Sequence, residues 1–257
     1  MITSSQNPKP KLVRALMRRA KERRAESAFV AEGVRLVEEA VNCDWGFRFV
    51  LYDETLSERG RSQVESLKSR GVECDEVPPS LMKSLSDTET SQGILAVLDL
   101  TSLPYPASPD FLLIPDQIRD PGNLGSLLRS ADAAGVDAVL IPPETTDPFA
   151  PKVMRAGMGA HFRLPIHALG WDEIRSHVQG MNFLLADARG TQSCWEADFR
   201  SPLALIVGGE AEGASGQAMK LTTGMINIPM PGRAESLNAA AAGAILLFEV
   251  VRQRSSV

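Results

Sequence analysis

The residues of this 257-residue chain whose types could do chemistry gather in three loops of its second half. In DQIRDPGNLGSLLRSADAAG, residues 116–135, Pro121, Gly122 and Gly125 make a tight entry, and Asn123 is expected to cap the helix that carries Arg129. Their six-residue spacing is not one helix face, yet a cap residue and an arginine in the second turn can flank the same cleft edge. In VGGEAEGAS, residues 207–215, Gly208, Gly209 and Gly213 permit positive φ and close approach of a ligand to backbone, while Glu210 sets a carboxylate at the mouth. The loop matches neither GxGxxG nor GxxxxGK[ST], so neither the dinucleotide fingerprint nor the P-loop is supported. In IPMPGRAESLN, residues 228–238, Ser236 or Asn238 could cap a long apolar helix, whose free N–H groups would suit a carboxylate or phosphate. Singly, each loop has a bland reading as a cap, a glycine turn or a helix start. The three together, in this order, are specific.

The elements that must hold these loops are short apolar runs alternating with helical stretches: FLLIP at 111–115, VDAVLI at 136–141, NFLLA at 182–186, LALIV at 203–207 and MINIP at 225–229. Continuous apolar strands separated by helices predict an α/β fold with a parallel sheet buried on both faces. Ligands of such sheets sit at the carboxyl ends of the strands, where the three loops lie. The last helix, LNAAAAGAILLFEVVRQ, is apolar or small on nearly every side, which predicts packing all round, and Gly243 lets another backbone come close. Before this domain, TSLPYPASP at 101–109 carries three prolines in nine residues and reads as a linker. Residues 1–100 read as a smaller α/β domain. It has an amphipathic helix through Leu12, Val13, Leu16, Met17 and Ala20, a helix around Val34–Val41, a strand Phe47–Tyr52, a helix near 58–70 and a strand Ile94–Leu98.

Composition excludes several classes. With 44% hydrophobic and 23% charged residues, and no apolar run near the roughly 20 residues of a membrane span, no membrane partner is expected. The basic N-terminal stretch lacks the apolar core of a secretory signal, so a cytoplasmic location is expected. Cys43, Cys74 and Cys194 lie far apart, which argues against a disulfide framework and a cysteine zinc cluster, and no metal is expected. The net charge of −5 alone argues against a polyanionic partner, but it hides an asymmetry. Residues 9–24 hold Lys9, Lys11, Arg14, Arg18, Arg19, Lys21, Arg23 and Arg24 against the single acid Glu22, a net of +7 that leaves −12 elsewhere. Such a run is either a solvated helix face or a phosphate-contacting arm for nucleic acid. With 5% aromatic residues, a base-stacking platform is unsupported.

The set Asn123-x-Gly125-x3-Arg129, Gly208-x-Glu210-x2-Gly213 and Ile228-Pro-Met230-x-Gly232-x2-Glu235-Ser236-Leu237-Asn238 resembles the three motifs of the SpoU (TrmH-type) branch of the SPOUT RNA methyltransferases. The resemblance covers residues 110–254, including RAGMGAHFRLP at 155–165, and the N-terminal ITSSQNPKPK…FVAEGVRLVEEA is similar to the ribosomal-protein-like substrate-binding domain often fused ahead of it. Gly157, Gly209 and Ala211 depart from residues common in the family, each small for small.

The resemblance implies a SPOUT domain over 110–257 with a deep C-terminal trefoil knot, a homodimer with its active site at the interface, and S-adenosylmethionine as cofactor. Carried over, Gly208, Gly209, Glu210, Gly213, Ile228, Met230, Ser236, Leu237 and Asn238 are the cofactor-binding candidates. Arg129, Asn123, Glu210, Ser236 and Asn238 are the catalytic ones. The implied reaction is methyl transfer to a ribose 2'-hydroxyl. A guanidinium stays protonated, so Arg129 is expected to hold the target phosphate and stabilise a developing alkoxide, the proton leaving through phosphate, water or Glu210. Asn123 would orient the ribose or Arg129. Lys9, Lys11, Arg14, Arg18, Arg19, Arg23 and Arg24 are the RNA-binding candidates. The two-domain layout favours ribosomal RNA. A transfer-RNA enzyme and a non-catalytic ribosome-associated adaptor are the alternatives.

Overall fold

The computed structural model describes all residues except 210–212 and 256–257. It divides into two units, Met1–Thr101 with Phe149–Phe162, and Ser102–Pro148 with Arg163–Val257. The break after Thr101 falls where the prolines begin. Residues 149–162, grouped by sequence with the second domain, instead pack with the first.

The first unit runs α1 (Pro8–Arg18), α2 (Ala20–Glu26), β1 (Ala28–Glu32), α3 (Val34–Asn42), β2 (Phe47–Tyr52), α4 (Glu58–Ser69), β3 (Cys74–Glu76), α5 (Pro79–Leu85) and β4 (Ile94–Asp99). Its sheet has the order β1-β4-β2-β3, antiparallel except for the β2–β3 pair. The α1 helix starts at Asn7, whose side chain accepts from Lys9 N, with Pro8 in the first turn where its missing N–H costs nothing. Val13 and Leu16 of α1 bury against β1, β2 and β4.

The basic arm departs from the expected single helix. Arg19 is extended (φ −131°, ψ 122°) and separates α1 from α2. Arg23 is buried, its Nη1 donating to Leu16 O near the end of α1, where helix carbonyls lack internal partners. Lys9 is committed to Glu73 and Asp75. Neither side chain stands in a solvent-facing basic stripe; Lys11, Arg18, Arg19 and Arg24 remain exposed.

The second unit continues with β5 (Phe111–Asp116), α6 (Pro121–Ala133) and β6 (Ala138–Ile141). After these the chain passes through α7 (Pro151–Gly157), which belongs to the first unit. There Arg155 reaches Glu32 at 3.4 Å and Asp87 at 2.8 Å, and Phe149 meets the Phe29 ring at 5.0 Å. The second unit resumes with β7 (Ile166–Ala168), α8 (Trp171–His177), β8 (Asn182–Ala186), β9 (Gln192–Ser193), β10 (Leu203–Gly208), α9 (Gly216–Leu221), β11 (Gly224–Asn227) and α10 (Ala239–Ser255). Its strands form one parallel sheet of order β7-β6-β5-β10-β8-β11-β9. The strand β5 is buried along its whole length, and β10 is buried up to Val207, as expected of strands covered on both faces.

The last helix corrects an expectation. It packs on α6 so closely that a Cβ at Gly243 would fall 2.3 Å from Leu127 Cδ1, but it is not covered all round. Ile245 and Phe248 are 36% and 50% exposed, and with Ala241 they form an apolar stripe at helical spacing. Among the described residues, no helix is long and apolar enough to cross a membrane, and no group of three or more His, Cys, Asp or Glu is placed to hold a metal ion.

Candidate active site

The parallel strands β10, β8 and β11 are neighbours, so their carboxyl ends open side by side. A cleft of about 420 Å³ lies there. Val207, Gly208, Gly209 and Gly213 form one wall, Ala186–Arg189 a second, Ile226, Ile228 and Met230 a third, and Ser236, Leu237, Ala239 and Ala242 close it from the start of α10.

The wall after β10 needs its glycines. A Cβ on Gly209 would lie 2.3 Å from Gln117 O, so the loops after β5 and β10 touch backbone to backbone. Gly213 N donates to Gly209 O at 3.1 Å, and Gly213 has φ +72°, a conformation that favours glycine. Asp116, fully buried at the end of β5, accepts from Ser215 N at 2.6 Å and so ties the far end of the loop to the sheet. Burial pushes its carboxyl above the ordinary range, against the hydrogen bonds from Ser215. The Glu210 carboxylate assigned to this mouth lies outside the described residues.

The first and third loops meet at two asparagines. Asn238 Nδ2 donates to Asn123 Oδ1 at 2.8 Å, while Asn238 Oδ1 accepts from Ala240 N and Ala241 N at 3.0 and 3.2 Å. Of the two cap candidates for α10, Asn238 therefore caps it and Ser236 faces the cleft. Asn123 is not the cap of α6: Asp120 is, its carboxylate accepting from Asn123 N at 2.8 Å. Pro121 at the first helical position fixes that register, and Asn123 turns its side chain to Asn238.

Seven of the nine cofactor-binding candidates, Gly208, Gly209, Gly213, Ile228, Met230, Ser236 and Leu237, line the cleft. Asn238 stands behind it on the Asn123 bond. Arg129, exposed on α6, does not line it, and among the described residues no hydrogen bond or ion pair holds its side chain. The wall Ala186–Arg189 lies outside the three sequence motifs. Its signal is nonetheless in the sequence, since Asp-Ala-Arg-Gly directly follows the apolar run NFLLA and so sits at a strand end like the other three loops. Asp187 and Arg189 pair through Nε and Nη2 at 3.0 and 2.8 Å, and the guanidinium holds the Asp187 carboxyl below its usual range.

A parallel α/β sheet with an apolar cleft at adjacent strand ends, walled by glycine backbone, has the architecture of a protein that binds a nucleoside-sized cofactor. Comparison with known proteins names the family. Residues 110–248 match the SpoU rRNA Methylase family model, and residues 7–96 match the MRM3-like substrate binding domain. The 23S rRNA (guanosine(2553)-2'-O)-methyltransferase RlmP of Bacillus subtilis is 33% identical, the alignment covering 97% of this chain and 98% of that one. The SpoU methyltransferase AviRb of Streptomyces viridochromogenes, solved with AdoMet, superposes with a TM-score of 0.84 at 30% identity over 98% of this chain and 100% of that one. An AdoMet-bound rRNA methyltransferase from Sinorhizobium meliloti gives 0.85 at 30% identity, over 98% and 97%. The chain belongs to the SpoU rRNA methylase family and is an S-adenosylmethionine-dependent RNA ribose methyltransferase.

Proposed function

We propose that this protein methylates a ribose 2'-hydroxyl of ribosomal RNA, working in the cytoplasm as a homodimer whose two copies complete each active site. The observation that carries the reading is the convergence of the second and third motifs on one cleft, with the first joined to the third through Asn123 and Asn238. The residues present fit S-adenosylmethionine: Val207, Ile226, Ile228 and Leu237 offer apolar walls for a nucleobase, and the glycine backbone and Ser236 offer polar atoms. Bound there, the cofactor supplies a methyl group already activated on a sulfonium.

The remaining work falls to side chains. Arg129 grips a phosphate of the target and stabilises charge developing on the 2'-oxygen. The proton leaves through phosphate, water or Glu210. Because Arg129 does not line the cleft of its own chain, Arg129 of the partner subunit is assigned to it. The exposed Ala241–Ile245–Phe248 stripe supports this, since it lies on the helix whose first turns close the cleft. Threading of the segment after β10 into a knot is part of the same proposal.

Ribosomal RNA is favoured over transfer RNA by the match of the substrate-binding domain to residues 7–96 and by relatives aligned over nearly the full chain and named for rRNA. Exposed Lys11, Arg18, Arg19 and Arg24 supply the basic surface on this domain. Mapping 2'-O-methyl groups in ribosomal RNA from a deletion strain against its parent tests the reading. Loss of one rRNA methyl group, restored by the parent gene and not by an Arg129→Ala gene, is expected. An intact rRNA pattern with a methyl group missing from transfer RNA would contradict it.

A further inference from the structure

Among the described residues that line the cleft, Asp187 and Arg189 are the only ones with ionisable side chains. Neither belongs to the three motifs. The loop that carries them is rigidly built. Asp187 N donates to Ile226 O at 2.9 Å, Gly190 N to Asp187 O at 2.9 Å, and Asn227 Nδ2 to Gly190 O at 2.6 Å. A Cβ on Gly190 would fall 2.7 Å from the Ile226 carbonyl carbon, so this turn is pressed onto β11. Asp187 is nearly buried, its side chain 12% exposed, whereas that of Arg189 is 76% exposed.

The pair is asymmetric in hydrogen-bonding capacity. Asp187 Oδ1 accepts from Arg189 N and Nε, and Oδ2 accepts from Nη2, so the carboxylate is largely used. A guanidinium has five N–H donors, and this ion pair engages only two of them. Among the described residues nothing engages the rest of this fork, which stands at the edge of a cleft whose other described side chains, Asp187 aside, are apolar or neutral. Such a fork matches a carboxylate. S-adenosylmethionine carries one, on its methionine half.

We propose that Arg189 binds the α-carboxylate of the cofactor's methionine half and that Asp187 is the positioning residue that aims it. The inference rests on the cofactor reading of the cleft. Discrimination between nucleosides with and without the amino-acid head then resides in this turn, and the apolar walls contribute affinity common to both.

Calorimetric titration of the full-length protein with S-adenosylhomocysteine and with 5'-methylthioadenosine, which lacks the amino-acid head, tests this without turnover or RNA. Arg189→Ala is expected to weaken S-adenosylhomocysteine binding by roughly tenfold to a hundredfold, the weight of a charge-assisted hydrogen-bonded pair, and to leave methylthioadenosine binding unchanged. Arg189→Lys keeps part of the preference, and Asp187→Asn reduces it less than Arg189→Ala does. Equal losses for both ligands in Arg189→Ala would overturn the proposal by making the residue a wall of the cleft. Unchanged S-adenosylhomocysteine affinity with weakened RNA binding would overturn it by making Arg189 a phosphate contact. A parent protein that binds neither nucleoside would instead overturn the cofactor reading.

Discussion

Asn238 Nδ2 donates to Asn123 Oδ1 at 2.8 Å across 115 residues of chain, joining the start of α10 to the first turn of α6. The same Asn238 closes the N-terminus of α10 through its oxygen. One side chain thus serves both helix stability and the register of two motifs, and substitutions can separate the two roles.

Asn238→Ala removes both and is expected to cost about 1–2 kcal/mol of stability, the usual weight of an N-cap, along with activity. Asn238→Asp keeps a capping oxygen and loses the donor to Asn123, so its denaturation midpoint should stay near that of the parent while methyl transfer falls. Urea titration read beside a methylation assay distinguishes them.

Within the basic arm, stability and RNA binding should divide by residue. Neutralising Arg18, Arg19 and Arg24 together is expected to weaken RNA binding and to lower the slope of log K against log salt by about 0.7–0.9 for each phosphate that is no longer neutralised. Arg23→Ala should leave that slope unchanged and destabilise the fold by about 1–3 kcal/mol, since it strips the donor from a buried helix-end carbonyl. Filter binding across a salt series, with thermal unfolding of each variant, measures both.

The stripe Ala241, Ile245 and Phe248 predicts a second copy. Phe248→Glu should convert a dimer to a monomer in light scattering and abolish methylation, while cofactor binding survives. Mixing Arg129→Ala with a cleft-blocking Leu237→Arg variant should restore activity, because the heterodimer keeps one intact cleft facing one intact arginine. No restoration would place Arg129 in its own chain's site.

Asp116 gives a pH dependence of unusual sign. Burial raises its folded-state pKa, so the group's contribution to stability is fully present below the unfolded value of about 3.9 and is lost as pH rises through the folded value. Relative to the parent, Asp116→Asn should therefore gain stability as pH rises through and above the carboxylate range. Urea midpoints of the two proteins compared from about pH 4 to about pH 8 follow the difference.

Much of this molecule is legible in its sequence where an apolar run is long enough and bounded by turn residues. Phe47–Tyr52 and Asn182–Ala186 are strands from end to end, as expected. The strands Gln192–Ser193 and Ile166–Ala168 are too short to carry any periodicity, and Ala28–Glu32 merges with the apolar pattern of α3. The cap of α6 is ambiguous in sequence between Asp120 and Asn123, two residues of cap-forming type three apart, and Pro121 at the first helical position decides it. Nothing in composition marks Arg19 as a break or Arg23 as an inward arginine; both follow from how α2 folds back against the end of α1. The outward face of α10 reads as covered because an apolar stripe does not reveal whether its partner is the same chain or another copy.

The proposed division, with binding in the cleft and transfer at Arg129, is measured most directly by cofactor affinity beside single-turnover methylation of ribosomal RNA in Arg129→Ala. Cofactor affinity should equal the parent's while the transfer rate falls by about 10²–10³-fold, the usual loss when one stabilising donor for a developing oxyanion is removed. A parent-like transfer rate would contradict this division.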